Sequence, residues 1–299
     1  MALKNKTQEA NKLVFGLPKG SLQENSLLFL RKAGFNVYLA PRVCQPKIDD
    51  PEINCYLLRA QEIPKYVASG KLDAGIAASD WIFEQKAKVK EVCDLDFAKK
   101  TVGRGVKWVL AVPRDSLIKS ARDLEGKTIS SEVVEITKAY LKRKGVKANV
   151  EFSWGASEAK PPLFTDAVVD ITETGESLTA NNLRVIDDVF EVNTKFIASP
   201  TAWQNPWKRE KIETMAMLIF GHINGHAMTN IMAHITAGRL DNVLKLVEQF
   251  DIPAVKKITG ANYYDVSFRC KDKQAREIIP ALKKAGCTGI VQSTAFKIS

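Results

Sequence analysis

The sequence of 299 residues lacks any apolar run long enough to cross a bilayer, and its five cysteines form no CxxC pair. A membrane-spanning helix needs about 20 consecutive apolar residues, so we expect no membrane partner. The first residues, MALKNKTQEANK, contain no apolar segment, and we therefore expect no secretory signal. An odd, scattered set of cysteines is typical of reduced thiols, so we expect a cytoplasmic protein with mostly buried thiols.

The sequence also lacks a cluster of like charges, although 44 basic and 34 acidic side chains give a net charge of +10. Residues 225–299 contain 11 basic and 6 acidic side chains, a net of +5, and the rest of the chain carries the other +5. Nucleic-acid-binding surfaces usually concentrate basic residues on one face or in one stretch. We therefore expect no nucleic-acid partner and interpret the diffuse charge as suited to small phosphorylated substrates. A nucleic-acid binder that uses the net charge is one alternative.

Short apolar segments alternate with helical periodicity over most of the chain. Leu13–Leu17, Ile53–Ala60 and Leu72–Ala78 are predicted strands, and a second series of strands begins near Val106. Strands that alternate with helices predict parallel sheets covered on both faces. We predict an α/β fold with two lobes and a returning chain, as in the periplasmic bilobal solute-binding proteins. In such folds the site lies at the carboxyl ends of the strands. A bilobal binding protein without chemistry is the second alternative.

The predicted limits follow from these patterns. We predict a first lobe over residues 1–105, which residues 190–224 complete, and a second lobe over residues 106–189. From Gly225 the order changes to strand, helix, strand, strand, helix, strand, which predicts a ferredoxin-like unit over 225–299. Pro280 lies inside the second predicted helix of this unit, where we expect a kink or a new turn.

The segment TDAVVDITETGESLTANNL, residues 165–183, has the features of an anion-binding turn. An apolar strand ends at Asp170 and Ile171, and three hydroxyl residues and Gly175 precede a predicted helix. Backbone N–H groups converge at such a turn, and a glycine allows a phosphate to approach closely. Asp170 can accept hydrogen bonds from ribose hydroxyls. On residue types alone, an ordinary capped turn is the alternative.

This segment resembles the phosphoribosyl pyrophosphate (PRPP) loop of ATP phosphoribosyltransferase, the first enzyme of histidine biosynthesis. Asp170, Thr172, Thr174, Gly175 and Leu178 fit the family's pattern. Ser177 stands where threonine is usual, and it keeps the hydroxyl. Other family segments are similar to GLPKGSL (16–22), LLRAQEIPKYVASGKLDAGI (57–76) and GASEAKPPL (155–163). The C-terminal unit resembles the ACT-like regulatory domain of the family's long form.

The resemblance implies an Mg²⁺-dependent transferase that joins ATP and PRPP and releases pyrophosphate. Histidine is the implied inhibitor, and a dimer or hexamer is the implied assembly. Magnesium is expected mainly on substrate phosphates, with unknown protein ligands. The implied PRPP-binding residues are Asp170, Thr172, Glu173, Thr174, Gly175, Glu176, Ser177 and Leu178. The implied ATP-binding residues are Lys19, Gly20, Ser21, Arg59 and Asp73. The implied catalytic residues are Asp170 and Glu158, and the inhibitor-binding candidates are Gly289, Ser293 and Thr294.

Several of these residues have a simpler structural interpretation. Arg59 can form an ion pair with Glu62 or Asp73. Asp73 can cap a turn, and Lys19 can be an exposed turn residue. Glu158 and its neighbour Lys160, a candidate for pyrophosphate, can be solvated loop residues.

At one position the sequence departs from the family. Many members have arginine where this chain has Ser21, so a cation that pairs with phosphate is missing there and Lys19 must supply the charge.

Two further groups of residues suggest other functions. His222 and His226 have the i, i+4 spacing of a zinc pair, but Gly225 lies between them, so we expect no metal site. We expect the indole rings of Trp154, Trp203 and Trp207 to be packing anchors.

Overall fold

The computed structural model describes residues 12–95, 105–225, 228–250 and 253–294. These residues form two compact units. The first contains the described residues up to Arg31 together with Phe35–Ala216. The second contains Lys32–Gly34 and the described residues from Met217 onwards. No helix in the described ranges has the length and apolar character needed to span a bilayer.

The first unit contains two lobes, each built on its own sheet. The first lobe begins with β1 (Leu13–Lys19), α1 (Gln23–Ala33), β2 (Val37–Tyr38), β3 (Lys47–Ile48), β4 (Ile53–Arg59), α2 (Ile63–Ala68), β5 (Ala74–Ala78), α3 (Ser79–Glu84) and β6 (Lys90–Asp94). β1 runs parallel to β4 and β5, as the alternation of strands and helices predicts. All five residues of β5 are buried, so both faces of the sheet are covered at this strand.

The second lobe contains β7 (Lys107–Pro113), β8 (Thr128–Ser131), α4 (Val134–Lys144), β9 (Asn149–Phe152), β10 (Ala167–Thr172), α5 (Glu176–Ala180) and β11 (Leu183–Glu191). The strand order is β11-β7-β10-β8-β9. β8 is parallel to β9 and β10, and β7 is antiparallel to β10 and β11. Apolar residues of β7, β8 and β10 pack against Ile136 and Tyr140 of α4 and form the core of this lobe.

The chain then returns to the first lobe as β12 (Thr194–Ala198), followed by α6 (Pro200–Gln204) and α7 (Pro206–Gly225). β12 lies between β5 and β6, antiparallel to both, so the first sheet has the order β4-β1-β5-β12-β6. The two-lobed α/β architecture with a returning strand is confirmed. It places the carboxyl ends of the parallel strands β1, β4 and β5 at the same end of the first sheet.

The second unit has the predicted βαββαβ order. It contains β13 (Met228–Thr236), α8 (Leu240–Val247), β14 (Ala254–Lys257), β15 (Tyr263–Lys271), α9 (Asp272–Lys284) and β16 (Thr288–Thr294). The sheet order is β14-β15-β13-β16, and all pairs are antiparallel. Ile231, Phe268 and Leu282 belong to a buried core between the sheet and the two helices. α9 runs through Pro280 as one helix.

Candidate active site

Helix α3 brings the carboxyl ends of strands from both lobes together. α3 begins directly after β5, and its Asp80 accepts a hydrogen bond from the Trp108 indole N–H at 2.9 Å. Trp108 pairs with Ile171 at the carboxyl end of β10. The contact therefore joins the strand ends at which an α/β fold forms its site.

The segment from Thr172 to Leu178 forms a tight turn between β10 and α5. The Gly175 N–H donates to the Thr172 hydroxyl at 2.8 Å. Gly175 has φ +81, a left-handed conformation that favours glycine, and a Cβ placed there would meet no atom within 4 Å. Leu178 is buried beneath the turn against Leu183 and other apolar residues. Leu178 thus anchors the turn to the core, and the turn is open at Gly175.

The other residues expected in this loop surround the opening. The Glu176 N–H donates to the Thr174 hydroxyl at 3.4 Å. Glu173, Thr174, Glu176 and Ser177 are all exposed. A cavity of about 570 Å³ lies beside the loop and is lined by Glu173, Thr174 and Lys107, among others. The Lys107 ammonium pairs with Asp188 at 2.7 Å, so this cation is already neutralised.

Carboxyl groups gather at the end of β10. The pKa of Asp170 is raised to about 6, mainly by burial and further by the neighbouring Glu158 and Glu132 carboxylates. The Ile171 N–H, which donates to Asp170 at 2.8 Å, acts in the opposite direction. Glu158 lies within hydrogen-bonding reach of Asp170, so the two side chains can share a proton. The structure therefore brings together the two residues expected to be catalytic.

Two further carboxylates here were missed by the sequence analysis. Burial raises the pKa of Glu132, and the charge of Asp80 adds to the effect. Burial also raises the pKa of Asp80 itself, against the lowering effect of the hydrogen bonds from Trp108 and Trp81. Glu132 directly follows β8, and Asp80 is the second residue after β5. An acidic residue just after a buried strand was the signal that could have revealed both.

In the first lobe, Lys19 and Arg59 lie opposite each other at the carboxyl ends of β1 and β4. Both are exposed, and neither forms an ion pair within the described part of the chain. Gly20 follows with φ +97, no atom lies within 4 Å of a Cβ built there, and Ser21 is exposed. These four residues form a small cationic turn that is open to solvent.

The structure does not bring Asp73 together with this turn. Asp73 precedes β5 and lies at the amino end of the sheet, where its carboxylate accepts from the Val14 N–H at 2.8 Å and the Lys208 ammonium at 2.7 Å. Its side chain is 7% exposed. Asp73 therefore has a structural role, but it ties β1 to α7, which differs from the turn cap given as its alternative.

Two expectations, one on the tryptophans and one on the cysteines, can be compared with the structure. Trp154 is 92% exposed and contacts the Phe152 ring edge-on at 4.8 Å, so the expectation that it is a packing anchor is wrong. Trp203, another of these tryptophans, has its ring centre 4.9 Å from the guanidinium carbon of Arg209. Cys55, Cys270 and Cys287 are buried, Cys93 is partly buried, and Cys44 is exposed.

The expected inhibitor residues lie on β16, at the edge of the second unit's sheet. Gly289 has φ +55, and a Cβ built there would lie 2.7 Å from Nδ1 of His234. The Ser293 carbonyl accepts from the Thr229 hydroxyl at 3.0 Å. The side chains of Thr294 and His222 and the whole of His226 lie outside the described residues. The described residues contain no group of three or more metal-ligating side chains arranged to hold an ion.

Comparison with known proteins identifies the family. The model for HisG, ATP phosphoribosyltransferase, matches residues 59–221, and the model for the HisG C-terminal domain matches residues 226–295. The chain belongs to the ATP phosphoribosyltransferase family. It is therefore a transferase of the first step of histidine biosynthesis, as the resemblance of its loop implies.

Individual members of the family agree over nearly the whole length. The ATP phosphoribosyltransferase of Thermodesulfovibrio yellowstonii is 46% identical over 286 residues, which cover 96% of this chain and 98% of that protein. The enzyme of Chlorobaculum parvum is 46% identical over 282 residues, covering 94% and 96% respectively. Among solved structures, a chain of the ATP phosphoribosyl transferase (HisG:HisZ) complex from Thermotoga maritima matches with a TM-score of 0.60 and 25% identity. That match covers 71% of this chain and 98% of the other.

Proposed function

We propose that this ATP phosphoribosyltransferase condenses ATP and PRPP to N1-(5-phosphoribosyl)-ATP and pyrophosphate. Nitrogen 1 of adenine attacks the anomeric carbon of PRPP, the bond to pyrophosphate breaks, and the configuration is inverted. The transition state resembles an oxocarbenium ion, so the protein contributes mainly by positioning the reactants and stabilising charge.

The observation that carries this proposal is the open turn at Gly175 beside the Asp170–Glu158 pair. A phosphate needs hydrogen-bond donors and space to approach the backbone. The Thr172 and Thr174 hydroxyls accept hydrogen bonds from backbone N–H groups of the turn and keep their own O–H groups to donate. At Gly175 no side chain obstructs the approach. We assign the 5-phosphate of PRPP to the turn, residues Thr172–Leu178. The ribose hydroxyls then fall next to Asp170, whose ionised carboxylate can accept their hydrogen bonds.

Glu158 has a second role in this proposal. Its negative charge raises the pKa of the neighbouring Asp170 carboxyl. A cationic ribosyl group that develops between them is stabilised by both carboxylates. Lys160, two residues further on and partly buried, is assigned to the leaving pyrophosphate.

Magnesium fits these residues as an ion carried mainly by the substrate. The carboxylates Asp170 and Glu158 are the hard oxygen donors that Mg²⁺ prefers, and substrate phosphates complete such sites in many enzymes. When bound, the ion neutralises charge on the departing pyrophosphate.

ATP binding is assigned to the cationic turn of the first lobe. Lys19 and Arg59 supply positive charge without protein counter-ions among the described residues, and Gly20 leaves space for a phosphate. Lys19 acts there as a point charge, whereas Arg59 can bind a phosphate in a bidentate manner. Asp73 is left out of this proposed site because Lys208 and Val14 occupy its carboxylate.

A coupled assay of pyrophosphate release tests the reaction. With ATP, PRPP and Mg²⁺ together, we expect release of pyrophosphate and an absorbance change for N1-substituted adenine. With either substrate omitted, neither signal should appear. Binding of PRPP without turnover in the presence of ATP would instead support a binding protein.

We further propose that the second unit binds histidine and thereby inhibits the transferase. β16 is an edge strand, and its Gly289 is exposed and lies against the His234 ring. Edge strands commonly pair with a neighbouring chain, so the site is expected near a subunit interface of a homo-oligomer.

Two glycine variants test the histidine site in the full chain. In Gly289→Ala the new Cβ would lie 2.7 Å from His234 in a strained conformation, so we expect weaker histidine binding by calorimetry. Gly260→Ala has comparable strain, at φ +78, with no atom within 4 Å, and should bind histidine normally. Histidine that competes simply with PRPP in both variants would contradict a separate site.

A further inference from the structure

Helix α4 of the second lobe begins without a polar capping residue of its own. The N-cap position is Val133, whose side chain cannot accept a hydrogen bond. The first N–H groups of a helix have no partner within it and need an external acceptor. Here the Glu135 N–H donates to one carboxylate oxygen of Glu84 at 3.0 Å, and the Ile136 N–H donates to the other at 3.1 Å.

Glu84 belongs to the opposite lobe. It is the last residue of α3, which follows β5 of the first sheet. Asp80 lies four residues earlier on the same face of α3 and also reaches the second lobe, through the Trp108 indole. One short helix therefore carries two carboxylates that both bind donors of the other lobe.

The capped helix leads directly to the site. Glu132 lies between the end of β8 and the first turn of α4, and the Val133 N–H donates to the Ser131 hydroxyl at 3.0 Å. A shift of the first turn of α4 would thus carry Glu132 with it. Glu132 is one of the carboxylates that influence Asp170. At its other end, α3 is continuous with β5. β5 lies next to β1, and β1 carries Lys19.

We propose that Glu84 is a positioning residue that sets the separation of the two halves of the site by capping the helix of the opposite lobe. The proposal rests on the proposed transfer reaction, because only a reaction between groups held by different lobes depends on their separation. Both oxygens of Glu84 are used, so glutamine, with one acceptor, keeps part of the contact and alanine keeps none.

Activity and interlobe distance are measured on Glu84→Ala, Glu84→Gln and a matched control. The control is Glu125→Gln, because Glu125 also accepts a backbone N–H, that of Lys147 at 2.9 Å, but within the second lobe. We expect kcat/KM to fall at least tenfold in Glu84→Ala, with an intermediate loss in Glu84→Gln. The control should keep the wild-type kcat and both KM values.

Spin labels give a readout that needs no turnover. Cysteines introduced at exposed Ser69 and Arg122 report on the first and second lobes, in a background in which the exposed Cys44 is serine. Labelled chains are diluted with unlabelled protein so that distances within one chain dominate. Glu84→Ala should broaden or shift the distance distribution, and Glu125→Gln should not.

The outcomes separate this proposal from the proposed reaction. An unchanged distance distribution in Glu84→Ala overturns the positioning role even if activity falls. A changed distribution with unchanged kinetics also overturns it. If the wild-type protein shows no phosphoribosyl transfer, the proposed function fails, whereas the distance measurement still reports whether Glu84 holds the lobes.

Discussion

Asp73 and Asp170 lie at opposite ends of their own strands, β5 and β10, and have opposite environments. Asp73, at the amino end of β5, is buried and accepts from a lysine ammonium and a backbone N–H. Asp170, at the carboxyl end of β10, faces other carboxylates, and burial and these charges raise its pKa to about 6. A carboxylate with cationic and N–H partners stabilises the fold, whereas one beside other carboxylates reduces stability and stays available to a ligand.

The largest expected effect is on catalysis at the carboxyl end. Gly175→Val places a branched side chain over the open turn at φ +81, where the proposed phosphate must approach the backbone. We expect kcat/KM for PRPP to fall by about 100-fold or more, on the scale of a lost oxyanion-type contact. Initial-rate kinetics with circular dichroism as a folding check measure this.

Gly126→Val is the matched control for that variant. Gly126 has φ +73, no atom lies within 4 Å of a Cβ there, and it lies in the same lobe. Both variants should lose about 1 kcal/mol of stability from backbone strain, but only Gly175→Val should lose activity. Equal kinetics in the two variants would contradict the loop assignment.

The second expected effect is that of Asp170→Asn, which should weaken the activity but increase the stability of the fold. Asp170→Asn removes the charge assigned to the ribose hydroxyls, so we expect the KM for PRPP to rise about tenfold. The folded-state pKa of about 6 exceeds the ordinary 3.8, so the free energy of unfolding of the wild type should fall as the pH rises from about 4 to about 6. The variant should lack this fall.

Urea unfolding at several pH values checks the stability half of this prediction. Because Asp170 is only partly buried, we discount the shift for solvent screening and expect the variant to be more stable by about 1 kcal/mol at pH 7. Asp166→Asn, at the other end of the same strand, removes a carboxylate that accepts the Thr128 N–H at 2.9 Å and should instead lose stability. A destabilised Asp170→Asn would be the contrary result.

The smallest expected effect on catalysis is at the amino end. Asp73→Asn weakens the pair with Lys208 and keeps at most one acceptor for the two donors. We expect a loss of about 1–3 kcal/mol in the free energy of unfolding, with the KM for ATP unchanged. A raised KM for ATP with normal stability would instead place Asp73 in the nucleotide site.

The order of strands and helices could be predicted because it depends on local periodicity. A few neighbouring residues are enough to predict a buried strand such as Leu13–Leu17. The same holds for the end of α4, where Gly145 has φ +70. The turn around Gly175 was predictable for the same reason. The limits of the two lobes and of the C-terminal unit stay predictions.

It was harder to predict at which end of the strands, amino or carboxyl, a residue lies. Asp73 precedes its strand by one residue and Asp80 follows it by two, so a short step in sequence becomes the full length of β5 in space. The exposure of Trp154 and the proximity of Glu132 to Asp170 depend on tertiary packing, which periodicity does not report.

The position of β12 has a consequence for synthesis of the chain. β12 is an internal strand of the first sheet, yet it is translated after every strand of the second lobe. Among the described residues, β12 is the only strand that pairs with β6 in that sheet. Until Thr194–Ala198 leave the ribosome, β5 therefore presents an open edge to that side. The second lobe, whose strands are contiguous from Lys107 to Glu191, can fold first. The edge of β5 therefore stays unpaired for the time that about 100 further residues take to be translated, roughly 5–20 seconds.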